Sequence, residues 1–572
     1  MTHRTAMTPT RPAADAHDIL DATWGVASRS PMTARHLSHA LEIPDVSFEA
    51  VSRRAHAGQD ILARLDALDV AGLSSDLLLT LSAARRLAEG WSHEEDWYWL
   101  TFDPLGEGYF AMFAPSAYSG GFLLSIIHEA LAQVSLAGAA AIDRHVDTIG
   151  GYARLIRQFT ERTAGQSERG IHMPALQLSN AVALVTGLKA AGLETLHAVA
   201  ERSAGRLPAS DRERIRNRIT GDVEPAFDEL LALLTNPDYA AAAPDSVGLA
   251  SYPGGAEIYD ELVKIHTTLD LTAQEVHDRG HARMARIEDE MRELMAGQGF
   301  AGTPAEYLAS LAEDPAWRAA TDEDIAAHFQ RYIDRFAPET AAYFGRLPRA
   351  PYGVEPLPAA VSGSMTFGYY SAPQPDRDRG IYLFNGANLS QTALPMIAAL
   401  NYHELVPGHH LHLALQHEAA DAHPLRRHAV ATAFTEGWAE YAGRLAGEIG
   451  MYRAPEERFG RLMMEAFLTS RLVVDTGMNA LGWSLERARE YMREHSFMGP
   501  TEVDSETLRY SCDLPGQALA YKLGDDFFYD LREELRAVHG DNFRIADFHD
   551  AVLRAAGLPL PMVADYVRTE LA

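Results

Sequence analysis

The sequence SSDLLLTLSAARRLAEG, residues 74–90, is typical of the chain as a whole. Its leucines and alanines recur at spacings of three and four residues, and β-branched residues are rare, which is the pattern of an amphipathic α-helix. Residues 60–73 and 212–234 show the same pattern, although Pro225 predicts either a kink or two separate helices in the second segment. The run Thr272–Glu275 has the capping-box pattern that begins a helix. The sequence therefore predicts a mainly α fold.

The composition of the chain changes at two places. Residues 238–259 are rich in small residues, proline and glycine, and they predict a join between an N-terminal helical lobe, residues 1–245, and a C-terminal helical lobe, residues 246–572. Between about 350 and 390, glycine, proline, tyrosine and short alternating apolar segments predict a small β-ribbon. We therefore expect a large multi-helix architecture in which this ribbon lines a deep cleft.

Acidic residues greatly outnumber basic ones. The 572 residues include 79 Asp and Glu against 50 Lys and Arg, which gives a formal charge of −29. This charge repels phosphate backbones and anionic lipids, so neither nucleic acid nor a membrane surface is expected as a partner. Cys512 is the single cysteine, which rules out an internal disulfide and fits a reducing compartment. We recognise no secretory or membrane-spanning segment and expect a cytoplasmic protein.

Residues 399–410, ALNYHELVPGHH, are the first candidate for chemistry. A catalytic zinc site needs neutral imidazoles on one metal and a carboxylate that takes a proton from the bound water. The usual sequence has two histidines four residues apart on a helix, with a glutamate directly after the first. His403 and Glu404 match the start of this pattern, which indicates a metal ligand followed by a general base.

The second histidine of the pattern is displaced. His409 and His410 follow His403 by six and seven residues. Pro407 interrupts helical hydrogen bonding and Gly408 tolerates unusual backbone angles, so we expect the helix to break there. A two-residue bulge would bring His409 to the second ligand position, whereas an unbroken helix would favour His410. The spacing alone allows either histidine.

Residues 432–441, TAFTEGWAEY, offer a candidate for the third ligand. Open catalytic zinc sites typically use three protein ligands and leave the fourth position to water. Glu436 lies in a mostly apolar stretch, where a carboxylate is costly unless it is paired or binds a metal. Glu440, one helical turn later, could orient a ligand histidine.

Further residues are candidates for contacting a substrate. The hydroxyl of Tyr510 or Tyr521 could donate to the oxyanion of a tetrahedral intermediate. Arg509, or alternatively Arg471, could bind a substrate carboxylate through two hydrogen bonds.

Other histidines and the cysteine are interpreted as structural. His277 and His281 have the four-residue spacing of two ligands on one helix, but no glutamate follows the first, so we interpret them as a solvated face. His412 and His417 are interpreted as structural or exposed. Cys512 would need a partner imidazole to act as a nucleophile, which a sequence cannot show, and we interpret this cysteine as structural.

Several of these segments together resemble one bacterial family. HELVPGHH at 403–410, followed by EGWAEY at 436–441, is similar to the motifs of the family of unknown function that carries the number 885. The resemblance continues in RLVVDTG at 471–477, PGQALAYK at 515–522 and FHD at 548–550. Members of this family look like relatives of zinc peptidases that use two histidines and one glutamate.

The resemblance implies a metal site and a mechanism. It implies that zinc is bound by His403, His409 and Glu436, with His410 as the alternative second ligand. It also implies that Glu404 accepts a proton and later returns it to the leaving group.

The resemblance has limits along the chain and at two positions. Specific motifs cover roughly residues 250–572, and the N-terminal half matches only diffusely. Asn479 stands where a histidine is expected, and Glu440 stands where an apolar residue is usual. Neither difference removes a proposed ligand, but both concern the surroundings that select a substrate.

These observations predict a zinc-dependent hydrolase, a peptidase that acts on short peptides. Gly380–Asn385 is expected to be an edge strand that pairs with an extended peptide. If Arg509 binds a terminal carboxylate, the activity is that of a carboxypeptidase. Two alternatives stay open: a zinc hydrolase of a non-peptide amide or modified metabolite, and a non-catalytic binding protein that retains the fold.

Overall fold

The structure is a computed structural model, and it describes residues 11–36, 42–106, 108–203, 205, 207–358, 367–374, 377–389 and 394–572. The chain divides into two compact units. The first comprises Met1–Tyr259 and Ser511–Pro515, and the second comprises Asp260–Tyr510 and Gly516–Ala572. The main division falls 14 residues after the boundary predicted at residue 245.

Helices form most of the first unit. In chain order its α-helices are α1 (Arg11–Ala27), α2 (Pro31–His36), α3 (Phe48–Asp66), α4 (Ser75–Ser92), α5 (Gly120–Ala132), α6 (Ala139–Glu168), α7 (Ala175–Ser203), α8 (Ala209–Arg218), α9 (Glu224–Leu234) and α10 (Pro237–Ala242), and α11 (Gly255–Thr267) spans the division. The segment around Pro225 is two helices joined by a π-helical turn, Ile219–Val223. Pro225 lies in the first turn of α9, where its missing N–H needs no partner.

The second unit is also mainly helical, which confirms the predicted fold class. Its α-helices are α12 (Ala273–Gly297), α13 (Pro304–Leu311), α14 (Asp322–Phe336), α15 (Thr340–Tyr343), α16 (Gly386–Leu389), α17 (Ile397–Glu404), α18 (His409–Glu418), α19 (Pro424–Arg427), α20 (Thr432–Glu448), α21 (Pro455–Asn479), α22 (Leu485–His495), α23 (Pro500–Leu508), α24 (Ala520–His539), α25 (Ile545–Arg554) and α26 (Leu560–Leu571). A second π-helical turn, Arg509–Asp513, follows α23.

The second unit contains a small β-sheet where the sequence predicts a ribbon. Its strands are β1 (Tyr352–Pro356), β2 (Gly368–Ser371) and β3 (Gly380–Phe384), in the order β1-β3-β2. β3 pairs in parallel with β1 and antiparallel with β2. The prediction that Gly380–Asn385 is an edge strand is therefore wrong, because β3 has a neighbour on each side. Residues 359–366 and 375–376 of the predicted ribbon lie outside the described residues.

Helix α7 differs from the expectation that no segment could span a membrane. Its length and apolar composition would allow it to cross a bilayer, and 22% of its most apolar window is buried in the structure. Within the first unit it packs against α5 and α9, and its buried positions include Leu178, Val185 and Leu188. Core helices share this length and composition, but they are mostly buried, whereas most of this window is not.

Two helices of the second unit approach each other unusually closely. α20 packs along α24, and glycines face each other where they meet. A Cβ atom added to Gly437 would lie 2.4 Å from the Cα atom of Gly524. Glycine is therefore required at this contact, because any side chain would push the two helices apart.

Candidate metal centre

The broken helix predicted before His409 is present. α17 ends at Glu404, the chain turns through four residues, and α18 begins at His409. The carbonyl oxygen of Pro407 accepts a hydrogen bond from the indole nitrogen of Trp438 at 3.0 Å. A Cβ atom on Gly408 would lie 1.8 Å from the carbonyl oxygen of His403, so this tight turn requires glycine.

The turn brings His409 beside His403, and α20 supplies Glu436 opposite them. Oε2 of Glu436 lies 3.6 Å from Nε2 of His403 and 3.4 Å from Nε2 of His409. One ligand atom from each of the three residues lies within 4.8 Å of the others. Ligands about 2.1 Å from a tetrahedral zinc ion are separated by about 3.4 Å, so the two distances to Glu436 are close to those between corners of such a site, and three protein ligands would leave the fourth corner open.

His410, the alternative left open by the spacing, points elsewhere. Its Nδ1 shares a hydrogen bond of 2.8 Å with the hydroxyl of Tyr370 on β2, and its ring lies 4.5 Å from that of Tyr352. Gly380 leaves room for this pair, since a Cβ atom there would lie 2.6 Å from Nδ1 of His410. Burial lowers the pKa of His410 to about 4. The geometry therefore favours His409 as the second ligand.

Glu440 holds the opposite side of His403. Its Oε1 accepts a hydrogen bond from Nδ1 of His403 at 2.9 Å, which matches the orienting role expected from its spacing. Its Oε2 lies 3.1 Å from Nη1 of Arg461 and 3.1 Å from Nζ of Lys522. Burial opposes ionisation of Glu440, but Arg461 and Lys522 hold its pKa well below the usual range.

These groups belong to a larger charge network, which is buried except at its margin. Nζ of Lys522 lies 2.7 Å from Asp525, whose carboxylate also pairs with Arg444 at 2.8 Å and with Arg283 at 3.3 Å. Burial raises the pKa of Asp525, but Lys522 and the arginines outweigh burial and hold it below its usual range. The charge network, as named below, consists of Glu440, Arg461, Lys522, Asp525, Arg444 and Arg283.

The protonation of His403 is set by its acidic neighbours. Burial would lower the pKa of His403, but its interactions with Glu436 and Glu440 outweigh burial and raise the pKa to about 10. Burial likewise opposes ionisation of Glu436, and His409 and His403 hold its pKa below the usual range. We therefore expect His403 to carry a proton on both ring nitrogens at neutral pH in the metal-free protein and to release one of them when a metal ion binds.

Two further predicted residues lie beside the ligands. Glu404 follows His403 directly and is 8% exposed. Burial raises the pKa of Glu404, and the charges of His403 and His409 offset part of the rise. Tyr521 comes from α24, and its ring is nearly parallel to that of His403, with centroids 6.2 Å apart. The site therefore combines a proton-accepting carboxylate and a phenol with the candidate ligands.

A family model described as "Bacterial protein of unknown function (DUF885)" matches residues 31–567. The chain belongs to the DUF885 family. The resemblance drawn from the motifs is thereby confirmed, and the match also covers most of the N-terminal half. No curated protein sequence matches the chain.

Two solved structures share the fold of this DUF885 protein. A "putative lipoprotein from Colwellia psychrerythraea" is 24% identical, with a TM-score of 0.81 over 98% of this chain and 99% of that chain. A "putative lipoprotein of unknown function from Shewanella oneidensis" is 16% identical, with a TM-score of 0.75 over 97% of this chain and 99% of that chain. At these identities the likeness concerns the fold.

Tyr510 and Arg471, both predicted to contact a substrate, contact each other. The hydroxyl of Tyr510 donates to the carboxylate of Glu506 and accepts from Nε of Arg471 at 2.7 Å. Nη2 of Arg471 lies 2.9 Å from the same carboxylate. With its proton given to Glu506, the Tyr510 hydroxyl is less suited than that of Tyr521 to donate to a ligand.

Arg509 and Asn479 are also held by neighbouring side chains. Nη2 of Arg509 donates to Gln517 at 2.8 Å, and its Nη1 lies 3.6 Å from Glu506. The Asn479 amide donates to the Asp475 carboxylate at 3.1 Å. The role of Arg509 in binding a carboxylate stays a prediction.

The structure describes the surroundings of His277, His281 and Cys512, which the sequence analysis interprets as having no catalytic role. His281 is exposed, but His277 is buried, so the solvated-face interpretation is wrong for His277. Nδ1 of His277 contacts the Thr476 hydroxyl at 2.9 Å, and its Nε2 lies 3.2 Å from Nε2 of His281. Cys512 is buried, with its thiol 3.0 Å from the carbonyl oxygen of Val247. Burial raises the pKa of this thiol, which disfavours a nucleophilic thiolate.

Sequence reasoning missed several residues around the ligands. His412 is buried, and its Nε2 lies 3.0 Å from Oε1 of Gln416. Burial, and next the charge of His409, lower the pKa of His412 to about 3. Its position three residues after His409 was the available signal, because such residues are neighbours on a helix. Lys522 carried a signal too, as a lysine within the apolar run ALAYKL.

Proposed function

We propose that this protein is a zinc-dependent hydrolase and that its substrates are short peptides. The observation that carries the proposal is the group formed by the buried His403 and His409 and the partly exposed Glu436, whose ligand atoms lie within 4.8 Å of one another. Glu404 follows His403 directly. Two imidazoles and one carboxylate are ligands that suit zinc, and a neighbouring glutamate with a raised pKa suits a general base.

The bound metal ion, Glu404 and Tyr521 would each have a separate role in hydrolysis. Zinc in this site would lower the pKa of a bound water toward neutrality and polarise a carbonyl group. Glu404 would accept the proton of the attacking water and return it to the leaving amine. The Tyr521 hydroxyl is the candidate donor to the developing oxyanion, because the Tyr521 ring is on the same side of the site as His403, with ring centroids 6.2 Å apart.

The position of the sheet supports a peptide as the substrate. β2 is an edge strand within the described sheet, and its Tyr370 has a ring nearly parallel to that of His409, with centroids 6.5 Å apart. An extended peptide paired with this edge would pass close to the ligands. His403 and His409 are only 4% and 8% exposed, which favours short, flexible substrates over folded proteins.

Metal content per chain tests the first part of the proposal. We expect about one zinc ion in the wild type and in His410→Ala, and little in His403→Ala, His409→Ala or Glu436→Ala. His410→Ala is the matched control, because it removes an adjacent buried imidazole that contacts Tyr370 instead of Glu436. A wild-type protein without metal, or a loss confined to His410→Ala, would contradict the assignment.

Hydrolysis of a short-peptide library by zinc-loaded protein tests the second part. Glu404→Gln should retain zinc and lower kcat by about 10²- to 10⁴-fold, because the amide cannot accept a proton. Glu486→Gln, on the surface helix α22, should behave like the wild type. Equal rates for Glu404→Gln and wild type would overturn the role of Glu404. A zinc-loaded protein that cleaves no peptide in the library would contradict the peptidase proposal and leave the two alternatives, a hydrolase of a non-peptide amide and a non-catalytic binding protein.

Two finer points belong to the same proposal. Arg509 is the candidate for binding a terminal carboxylate, and Arg509→Ala should then lose the preference for a free over an amidated C-terminus.

We propose a cytoplasmic location. A membrane-associated or exported location is the second candidate, because both structural relatives carry the description lipoprotein. Cell fractionation would distinguish the two locations.

A further inference from the structure

The two candidate ligand histidines differ in how their second nitrogen is held. Nδ1 of His403 donates to Glu440, whereas Nδ1 of His409 is buried and has no hydrogen-bond partner among the described residues. A neutral histidine that binds a metal through Nε2 carries its proton on Nδ1, and this N–H almost always has an acceptor. His409 therefore needs an acceptor.

A second buried nitrogen without a partner occurs one helical turn further along α18. Nδ1 of His412 is buried and makes no hydrogen bond within the described part of the chain. His412 follows His409 by three residues, so the two side chains lie next to each other on one face of the helix. The His412 ring also packs against Phe434, with centroids 4.9 Å apart.

The contacts of Gln416 decide which nitrogen of His412 carries the proton. The amide nitrogen of Gln416 donates to the carbonyl oxygens of Arg426 and Ala429, both at 2.8 Å. Its amide oxygen therefore faces Nε2 of His412, at 3.0 Å, and accepts from it. A neutral imidazole has a single N–H group, so Nδ1 of His412 presents a lone pair.

We propose that a buried water joins the Nδ1–H group of His409 to Nδ1 of His412, so that His412 and Gln416 position the second metal ligand. The water accepts from His409 and donates to His412, and this satisfies two buried nitrogens at once. The proposal rests on the metal site proposed above. His412 and Gln416 act through His409 and are positioning residues.

Zinc affinity of the full-length protein, measured by competition with a fluorescent chelator, tests the proposal. His412→Phe should weaken zinc binding by about 10- to 100-fold, as for other partners of metal-binding histidines. His412→Asn should restore most of the affinity, because its amide oxygen can accept where Nδ1 did. His417→Phe makes the same change elsewhere on α18 and should bind zinc like the wild type. Thermal unfolding shows whether each variant is folded.

The ring nitrogens give a second measurement that does not depend on affinity. ¹⁵N NMR of the histidine rings should show His412 as the Nε2–H form in the zinc-free protein. Zinc should add a slowly exchanging Nδ1–H signal from His409, and His412→Phe should lose it. If zinc binds to the wild type but His412→Phe binds it equally well, or His412→Asn fails to restore affinity, this inference alone is wrong. If the wild type binds no zinc, the proposed function is wrong as well.

Discussion

The two candidate ligand histidines, His403 and His409, differ in the charge of their neighbours. His403 donates a hydrogen bond to the carboxylate of Glu440, which belongs to the charge network. His409 is followed on α18 by the neutral pair His412 and Gln416. A carboxylate partner makes an imidazole more basic, but a buried carboxylate needs cations around it. A neutral partner orients the ring without that requirement. The cations of the charge network compensate two buried anions, Asp525 and Glu440, and Glu440 is the one that contacts a candidate ligand, His403.

Removing Glu440 should have the largest effect. Glu440→Gln leaves Arg461 and Lys522 buried with one carboxylate fewer, and we expect the free energy of unfolding to fall by about 3 kcal/mol or more. Urea denaturation of the metal-free protein at neutral pH measures it. Glu534→Gln breaks an exposed pair with Arg568 and should cost under about 1 kcal/mol. Equal losses in the two variants would contradict the view that Glu440 is a buried anion stabilised by the cations of the charge network.

The second largest effect should come from low pH, which weakens the ion pairs of the charge network beside His403. The pKa values of Glu440 and Asp525 are lowered in the folded protein, so their stabilisation is present above their ordinary pKa, about 4, and is lost as the pH falls further. We expect the free energy of unfolding of the wild type to drop by up to about 1.4 kcal/mol per pH unit for each group in that range. Urea denaturation at a series of pH values from neutral downward measures how steeply the free energy of unfolding depends on pH. Asp525→Asn should show a shallower slope, and an unchanged slope would contradict the assignment.

A smaller effect concerns zinc binding and pH. The pKa of His403 is raised to about 10, so zinc must displace a proton at neutral pH. Zinc affinity should therefore rise by about tenfold per pH unit between about pH 7 and 9. Calorimetry in buffers of different ionisation enthalpy should show about one proton released per zinc ion at pH 7. Zinc binding without proton release would show that His403 is neutral in the metal-free protein.

Local patterns predicted the parts of this protein that depend on neighbouring residues. The capping box Thr272–Glu275 is present with both of its hydrogen bonds. Helical periodicity identified the mainly α fold, and the motif spacing pointed to the break before His409. These features are decided within a few residues, where the geometry of one helix turn is enough.

Long-range partners could not be read from the sequence in this way. Lys522 meets Glu440 across 82 residues, and no local pattern links them. β3 was correctly predicted as a strand but wrongly predicted to lie at the edge of the sheet. Its almost continuously apolar sequence, GIYLF, is typical of a strand covered on both faces. Tyr510 and Tyr521 looked equivalent in sequence, but the structure distinguishes them, because the Tyr510 hydroxyl donates its proton to the carboxylate of Glu506.

The contact between Gly437 and Gly524 limits how this protein can adapt to ligands of different size. It joins the helix that carries Glu436 and Glu440 to the helix that carries Tyr521 and Lys522, with no side chain between the two backbones. Neither helix can shift toward the other, and moving apart would break a continuous packed surface. We therefore expect any widening of the space beside the ligands to come from elements other than these two helices, and the sheet, whose strand β2 is paired on one side among the described residues, is the first candidate.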